Sequence, residues 1–195
     1  MAKLGFAEYF VRPRRALLTK FSAALCLLAL TTAMPAYASP TGPELRAAVI
    51  VAILRFTSWK GVVPDSDSSQ IKLCTTGRPN SSSFLLSASG TQKVAGRTLV
   101  VDDVAPANLE SQHCNAIVIG EKISKSDFAD MIDVASKQSL LTICDGCKGM
   151  DAAETIIQLD LHKQRVKFEV NLIKARAVGV SLDAQLLELA SVVRK

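Results

Sequence analysis

The N-terminal stretch sets the redox conditions under which the rest of the chain folds. Arg12, Arg14, Arg15 and Lys20 make it basic, Phe21 to Thr32 is uncharged and mainly apolar, and Ala36-Tyr37-Ala38 has the small-x-small pattern at which a secretory leader is cut. The pattern predicts a signal peptide over residues 1–38 and a mature periplasmic protein over residues 39–195. The apolar run falls short of the roughly 20 residues that cross a hydrocarbon core, and Met34-Pro35 closes it, so it is not read as an anchor. Cys26 lies inside this run and is read as part of the leader.

Export gives the remaining cysteines, Cys74, Cys114, Cys144 and Cys147, an oxidising environment, and an even count there favours disulfides. Four cysteines allow three connectivities; the simplest pairs Cys74 with Cys114 and Cys144 with Cys147. In the chain-entropy model a bridge closing a loop of about 40 residues is worth roughly 4 kcal/mol, and one closing about four residues roughly 2 kcal/mol. The long bridge is therefore the better staple. The short one, in Cys144-Asp145-Gly146-Cys147, is the better candidate for a redox-responsive element.

Loss of the leader also removes Lys3, Arg12, Arg14, Arg15 and Lys20 against one acid, Glu8. The 23 Lys/Arg and 18 Asp/Glu of the full chain, net +5, then fall to a balance of about +1. A nucleic-acid partner loses its electrostatic support. What remains is long enough for one domain with its own hydrophobic core.

Hydrophobic spacing places the elements. Leu45, Ala48, Val49, Ala52, Ile53 and Phe56 fit the buried stripe of a helix from Pro43 to Trp59. A strand is predicted at Ile71 to Thr75, a short helix at Ser81 to Ser89 and strands at Arg97 to Val101 and Ala116 to Ile119, the last apolar on both faces. Ser124 caps a helix that buries Phe128, Met131, Ile132 and Ala135, and Leu140 to Ile143 is the next strand. Thr155 to Leu161 and Arg165 to Asn171 form a hairpin around His162-Lys163-Gln164. Asn171 caps a helix that stops at Gly179, and a last helix from Asp183 to Val193 buries Leu186, Leu189, Ala190 and Val193. The expected class is α/β: a single domain with a mixed sheet flanked by helices, ending in an antiparallel hairpin and helices.

With these elements placed, several blocks in order resemble the YfiR-like periplasmic family. They are Phe56-Thr57-Ser58-Trp59 after the first helix, Ile71-Lys72-Leu73-Cys74, and Cys114-Asn115-Ala116-Ile117-Val118-Ile119-Gly120. The most specific are Arg165 to Leu172, Gly179-Val180-Ser181 and Gln185 to Ala190. The resemblance implies a small, often dimeric periplasmic repressor. Such a protein binds a YfiN-like inner-membrane diguanylate cyclase and is itself sequestered by a YfiB-like outer-membrane lipoprotein, so that it controls cyclic di-GMP and biofilm formation. It further implies redox responsiveness through the disulfides. The chain departs from the family pattern at Ser58, where some members carry Arg, at Lys60, where Pro is usual, and in the close spacing of its second cysteine pair.

A Cys-x-x-Cys oxidoreductase needs a thiolate activated at a helix N-terminus; here Cys144 ends an apolar strand, and a turn-closing bridge is the preferred reading. Zinc would need two close ligand pairs, whereas Cys74 and Cys114 stand alone, and His113 and His162 read as surface residues, so no metal and no cofactor are assigned. No nucleophile motif or phosphate loop is found, and catalysis is not predicted. For partner binding the resemblance points to Glu169 and Gln185, then to Phe168 and Trp59. The bland reading of Glu169 is a solvated cross-strand ion pair, and that of Trp59 is core packing. A small-ligand-binding module serving a transporter or sensor is the other functional class compatible with this fold.

Overall fold

The computed structural model describes residues 40–59, 69–147 and 149–195. The predicted leader lies outside the described residues. Helix α1 spans Gly42–Arg55 and opens with a capping box: Thr41 Oγ1 accepts from Glu44 N, and the Glu44 carboxylate accepts from Thr41 N. It buries Arg46, Ala47, Ile50, Val51, Ile53 and Leu54. That is a different face from the predicted one: of the expected stripe only Ile53 is fully buried, and Ala48 is exposed. The helix is apolar nearly all round, so spacing alone selects no face.

The helix also ends earlier than predicted. The Phe56 N–H turns back to the carbonyls of Ile53 and Leu54, and Thr57 Oγ1 donates to Ile53 O at 2.8 Å. Thr57–Trp59 then forms β1, antiparallel to β9 (Val180–Leu182). Its β-favouring residues are satisfied by a partner remote in sequence, which overrides the helical continuation.

The main sheet contains β2 (Gln70–Thr76), β3 (Lys93–Val94), β4 (Arg97–Asp103), β5 (Ala116–Ile119), β6 (Leu141–Asp145), β7 (Ile157–His162), β8 (Arg165–Asn171) and β10 (Val192–Arg194). These eight strands lie in the order β10-β8-β7-β6-β5-β2-β4-β3. Strands β4, β2, β5, β6 and β7 are parallel neighbours, β7 and β8 form the antiparallel hairpin, and β10 runs parallel to β8. This is the mixed α/β sheet expected from the sequence. Helices α2 (Ser82–Ala88), α3 (Lys125–Lys137), α4 (Leu172–Ala177) and α5 (Ala184–Leu189) complete it.

Strand alternation divides the interior in two. Leu73, Ala116, Val118, Leu141, Ile143, Phe168 and Val170 face α1, α4 and α5. Cys74, Ile117 and Ile119 face α3, which contributes Phe128, Met131 and Ala135. The Ser124 cap on α3 forms as predicted, its Oγ accepting from Asp127 N at 3.0 Å.

The C-terminal helix is the remaining correction. It stops at Leu189, which is 70% exposed, and residues 192–194 become an edge strand. Of the four residues expected inside, Leu186 is buried while Ala190 and Val193 are half-buried. The physical cause is the open edge of β8: Ser191 N and Oγ both donate to Phe168 O at 2.8 Å, which redirects the β-branched pair Val192-Val193 into the sheet.

Candidate functional site

The chain leaves β2 toward β4 on one side and returns to β5 on the other, so the carboxyl ends of β2 and β5 form the topological switch point where open α/β sheets place ligands. Here the backbone itself fills the gap. Gly120 N donates to Thr76 O at 2.9 Å and Lys122 N to Gly77 O at 2.8 Å. A Cβ on Gly120 would sit 2.4 Å from backbone atoms of Gly77, Arg78 and Pro79. Only glycine lets the two loops approach this closely.

Beside this closure, at the end of β6, lies a buried polar hub. Asp145, the second residue of the Cys-x-x-Cys segment, is fully buried and pairs with Arg46 of α1, Nη1 to Oδ1 at 2.5 Å. Its other oxygen accepts from Ser81 N at 2.9 Å and Ser81 Oγ at 2.6 Å, at the residue that starts α2. The carboxylate therefore ties α1, α2 and β6 together with its lone pairs satisfied, as a buried charge requires. Gly146 follows with φ +94°, and a Cβ there would lie 2.4 Å from Asn80 Nδ2. The glycine between the cysteines is thus required by conformation, whereas the space for a Cβ would need only the end of the Asn80 side chain to move.

Both bridges take the simplest pairing. Cys74 to Cys114, Cα to Cα 6.0 Å, joins β2 to the entry of β5 beneath α3. Cys144 to Cys147, Cα to Cα 5.6 Å, closes the start of the β6 to β7 crossover. All four side chains are buried, but the short bridge borders a cleft of about 460 Å³ lined by Arg46, Asn80, Glu121, Gln158 and Asp160, while the long one is in the core. Cys144 lies within a strand, not at a helix N-terminus, so the thiolate-stabilising geometry of a thiol oxidoreductase is not built at that residue.

The four residues expected at a partner surface are not gathered in one place. Glu169 is cross-strand from Gln158 and pairs with Arg194 Nη2 at 2.7 Å, both partners partly exposed. Phe168 points to the opposite side and is 7% exposed, within the main core. Gln185 is exposed at the start of α5, whose Leu186 enters the core on the Phe168 side; α5 thus packs on the sheet face opposite Glu169. Trp59 is half-buried: its Nε1 donates to Asn115 O at 3.0 Å and the Arg97 guanidinium lies 5.8 Å over its ring. His113 adopts a left-handed conformation, φ 50°, at the end of the 3-10 segment Pro106–Gln112, and His162 ends β7.

Arg46, Ser81 and Asp145 were missed by the sequence reading. The available signal was Arg46 itself, a lone charge in the otherwise apolar run from Leu45 to Leu54 and in helical register with Ile50 and Ile53.

A family model described as YfiR/HmsC-like (DUF4154) matches residues 43–191. No curated protein matches the chain. Among solved structures, a conserved domain protein from Vibrio cholerae O1 biovar eltor is 13% identical, with a TM-score of 0.49, covering 78% of this chain and 60% of that one. The ABC domain in complex with L-Trp from Streptococcus pneumonia is 11% identical, with a TM-score of 0.48, covering 73% and 58%. The match spans about three fifths of the length of each of these proteins.

Proposed function

This chain belongs to the YfiR/HmsC-like family, and from that premise we propose that it represses an inner-membrane diguanylate cyclase of the YfiN type from the periplasm. The family is periplasmic, regulatory rather than catalytic, and acts through protein partners. The observation that carries the reading is the extent of the family match, from the first turn of α1 to the residue before β10. Among the described residues no helix is long and apolar enough to cross a membrane, which fits a protein that meets its target from outside the bilayer.

Repression by binding requires a difference in affinity. The protein must hold the cyclase's inactive state more tightly than its active one, and the shift equals that difference. Glu169, with its partner Arg194, and Gln185 are the accessible contacts. Phe168 supports Glu169 from inside the core, and Trp59 braces the entry to β5. A YfiB-like outer-membrane lipoprotein competes for the repressor and releases the enzyme, and the working form is a homodimer. The Cys144 to Cys147 bridge is the redox-responsive element, because it borders the cleft and encloses Asp145.

The test is a strain lacking this protein, together with a pull-down from solubilised inner membranes. Raised cyclic di-GMP and recovery of a cyclase support repression, and unchanged cyclic di-GMP refutes it. A bound small molecule recovered without any membrane partner would instead identify a ligand-binding module.

A further inference from the structure

The tip of the β7 to β8 hairpin carries charges that the fold does not use. Strand β7 pairs with β6 only as far as Leu159, and β10 reaches β8 only from Glu169 onward, so residues 160–167 pair solely with each other. This finger projects past its neighbouring strands. Lys163, Arg165 and Lys167 are exposed on it, and none of the ion pairs or side-chain hydrogen bonds among the described residues involves them. Asp160, opposite Lys167, is the only acid on the finger.

The turn itself gives a second, independent observation. Lys163 and Gln164 both adopt positive φ, 47° and 61°. Two-residue hairpin turns of this hand strongly prefer Asn-Gly or Gly-Gly, because a Cβ is disfavoured at both positions. The chain therefore keeps a long cation at the apex where glycine or asparagine would fit better. With the residues outside the leader balanced near neutrality, the positive charge is local to the finger and not a property of the whole surface.

We propose that this hairpin tip is a docking element for an anionic phospholipid surface. The cations stand at the apex and along one strand of a protruding finger. Such an arrangement suits a continuous layer of headgroup charge better than the matched, fixed charges of a protein partner. Docking would hold the protein at the bilayer surface and raise its local concentration there. The inference goes beyond the proposed repression and does not depend on it, since its test contains only this protein and lipid.

The test is sedimentation of the protein, purified from periplasmic extract, with vesicles of phosphatidylglycerol and phosphatidylethanolamine, against vesicles of phosphatidylcholine alone. Binding to the anionic vesicles only, weakened by high salt, is expected. Each of Lys163→Gln, Arg165→Gln and Lys167→Gln should weaken it about fivefold, and the triple variant by on the order of a hundredfold. The double variant Lys163→Asn/Gln164→Gly separates docking from folding: it should raise the melting temperature while lowering vesicle affinity about fivefold. Absence of binding to anionic vesicles, or binding untouched by the triple variant, overturns the proposal. So does loss of binding to an acidic protein partner in the triple variant when vesicles are not bound at all.

Discussion

Replacing Asp145 by alanine should be among the most damaging single changes available to this fold. It leaves the Arg46 guanidinium, about a tenth exposed, without its counter-charge, and it strands Ser81 N and Oγ, which both donate to the same carboxylate. Breaking a buried ion pair by removing one partner costs about 3–5 kcal/mol, chiefly because the surviving charge stays desolvated. Against a total stability of about 5–15 kcal/mol for a domain, that is about a fifth or more. In a chain of this size it corresponds to a fall in melting temperature of roughly 10 °C. Arg46→Met should cost less, about 3 kcal/mol, since Asp145 keeps its two hydrogen bonds from Ser81. The decisive variant is Arg46→Met/Asp145→Leu, which removes both charges and fills the space; it should recover much of the loss. Urea denaturation of the wild type, Arg46→Met, Asp145→Leu and the double variant, read as a double-mutant cycle at constant m, measures the coupling. Strictly additive losses, or a cost below about 1 kcal/mol for Asp145→Ala, would refute the view that this pair organises the site.

Four further outcomes follow from the geometry. Cys74→Ala/Cys114→Ala should lower stability by up to about 4 kcal/mol in denaturant titrations and raise cyclic di-GMP in cells, because the bridge pins β2 to β5. Gly120→Ala should destabilise by about 2 kcal/mol or more in the same assay, since a Cβ there meets backbone and not a movable side-chain end. Glu169→Gln breaks only a partly exposed pair and should cost less than about 1 kcal/mol, so lost cyclase binding in that variant would report on the contact and not on folding. The Lys137 ammonium is held above its usual pKa of 10.5, first by its hydrogen bond to Asp133 and then by the charge of that carboxylate. A raised lysine pKa contributes stability fully present below the unfolded value and lost as pH rises through the folded one. NMR titration of Asp133→Asn should therefore find Lys137 returned toward its ordinary value, with a small loss of stability at neutral pH, as expected for an exposed pair, that disappears as pH rises through the folded pKa.

Local patterns were sufficient where sequence neighbours satisfy one another. The apolar strand Ala116–Ile119, the Ser124 cap of α3 and the hairpin from β7 to β8 were legible because a strand buried on both faces, an N-cap and a turn each depend on a few adjacent residues. The alternation of strand and helix patterns carried the α/β class, and the family blocks added the regulatory reading. Tertiary structure decided whatever needs a distant partner: Thr57–Trp59 becomes a strand because residues 180–182 arrive beside it, and Val192–Arg194 because β8 offers an edge. It also chose the buried face of an almost uniformly apolar α1, which in turn brought Arg46 to Asp145 across 99 positions of sequence. A carboxylate is silent in a sequence until its environment is known, because burial and counter-charge, not residue type, determine whether it is a solvated surface group or the centre of the fold.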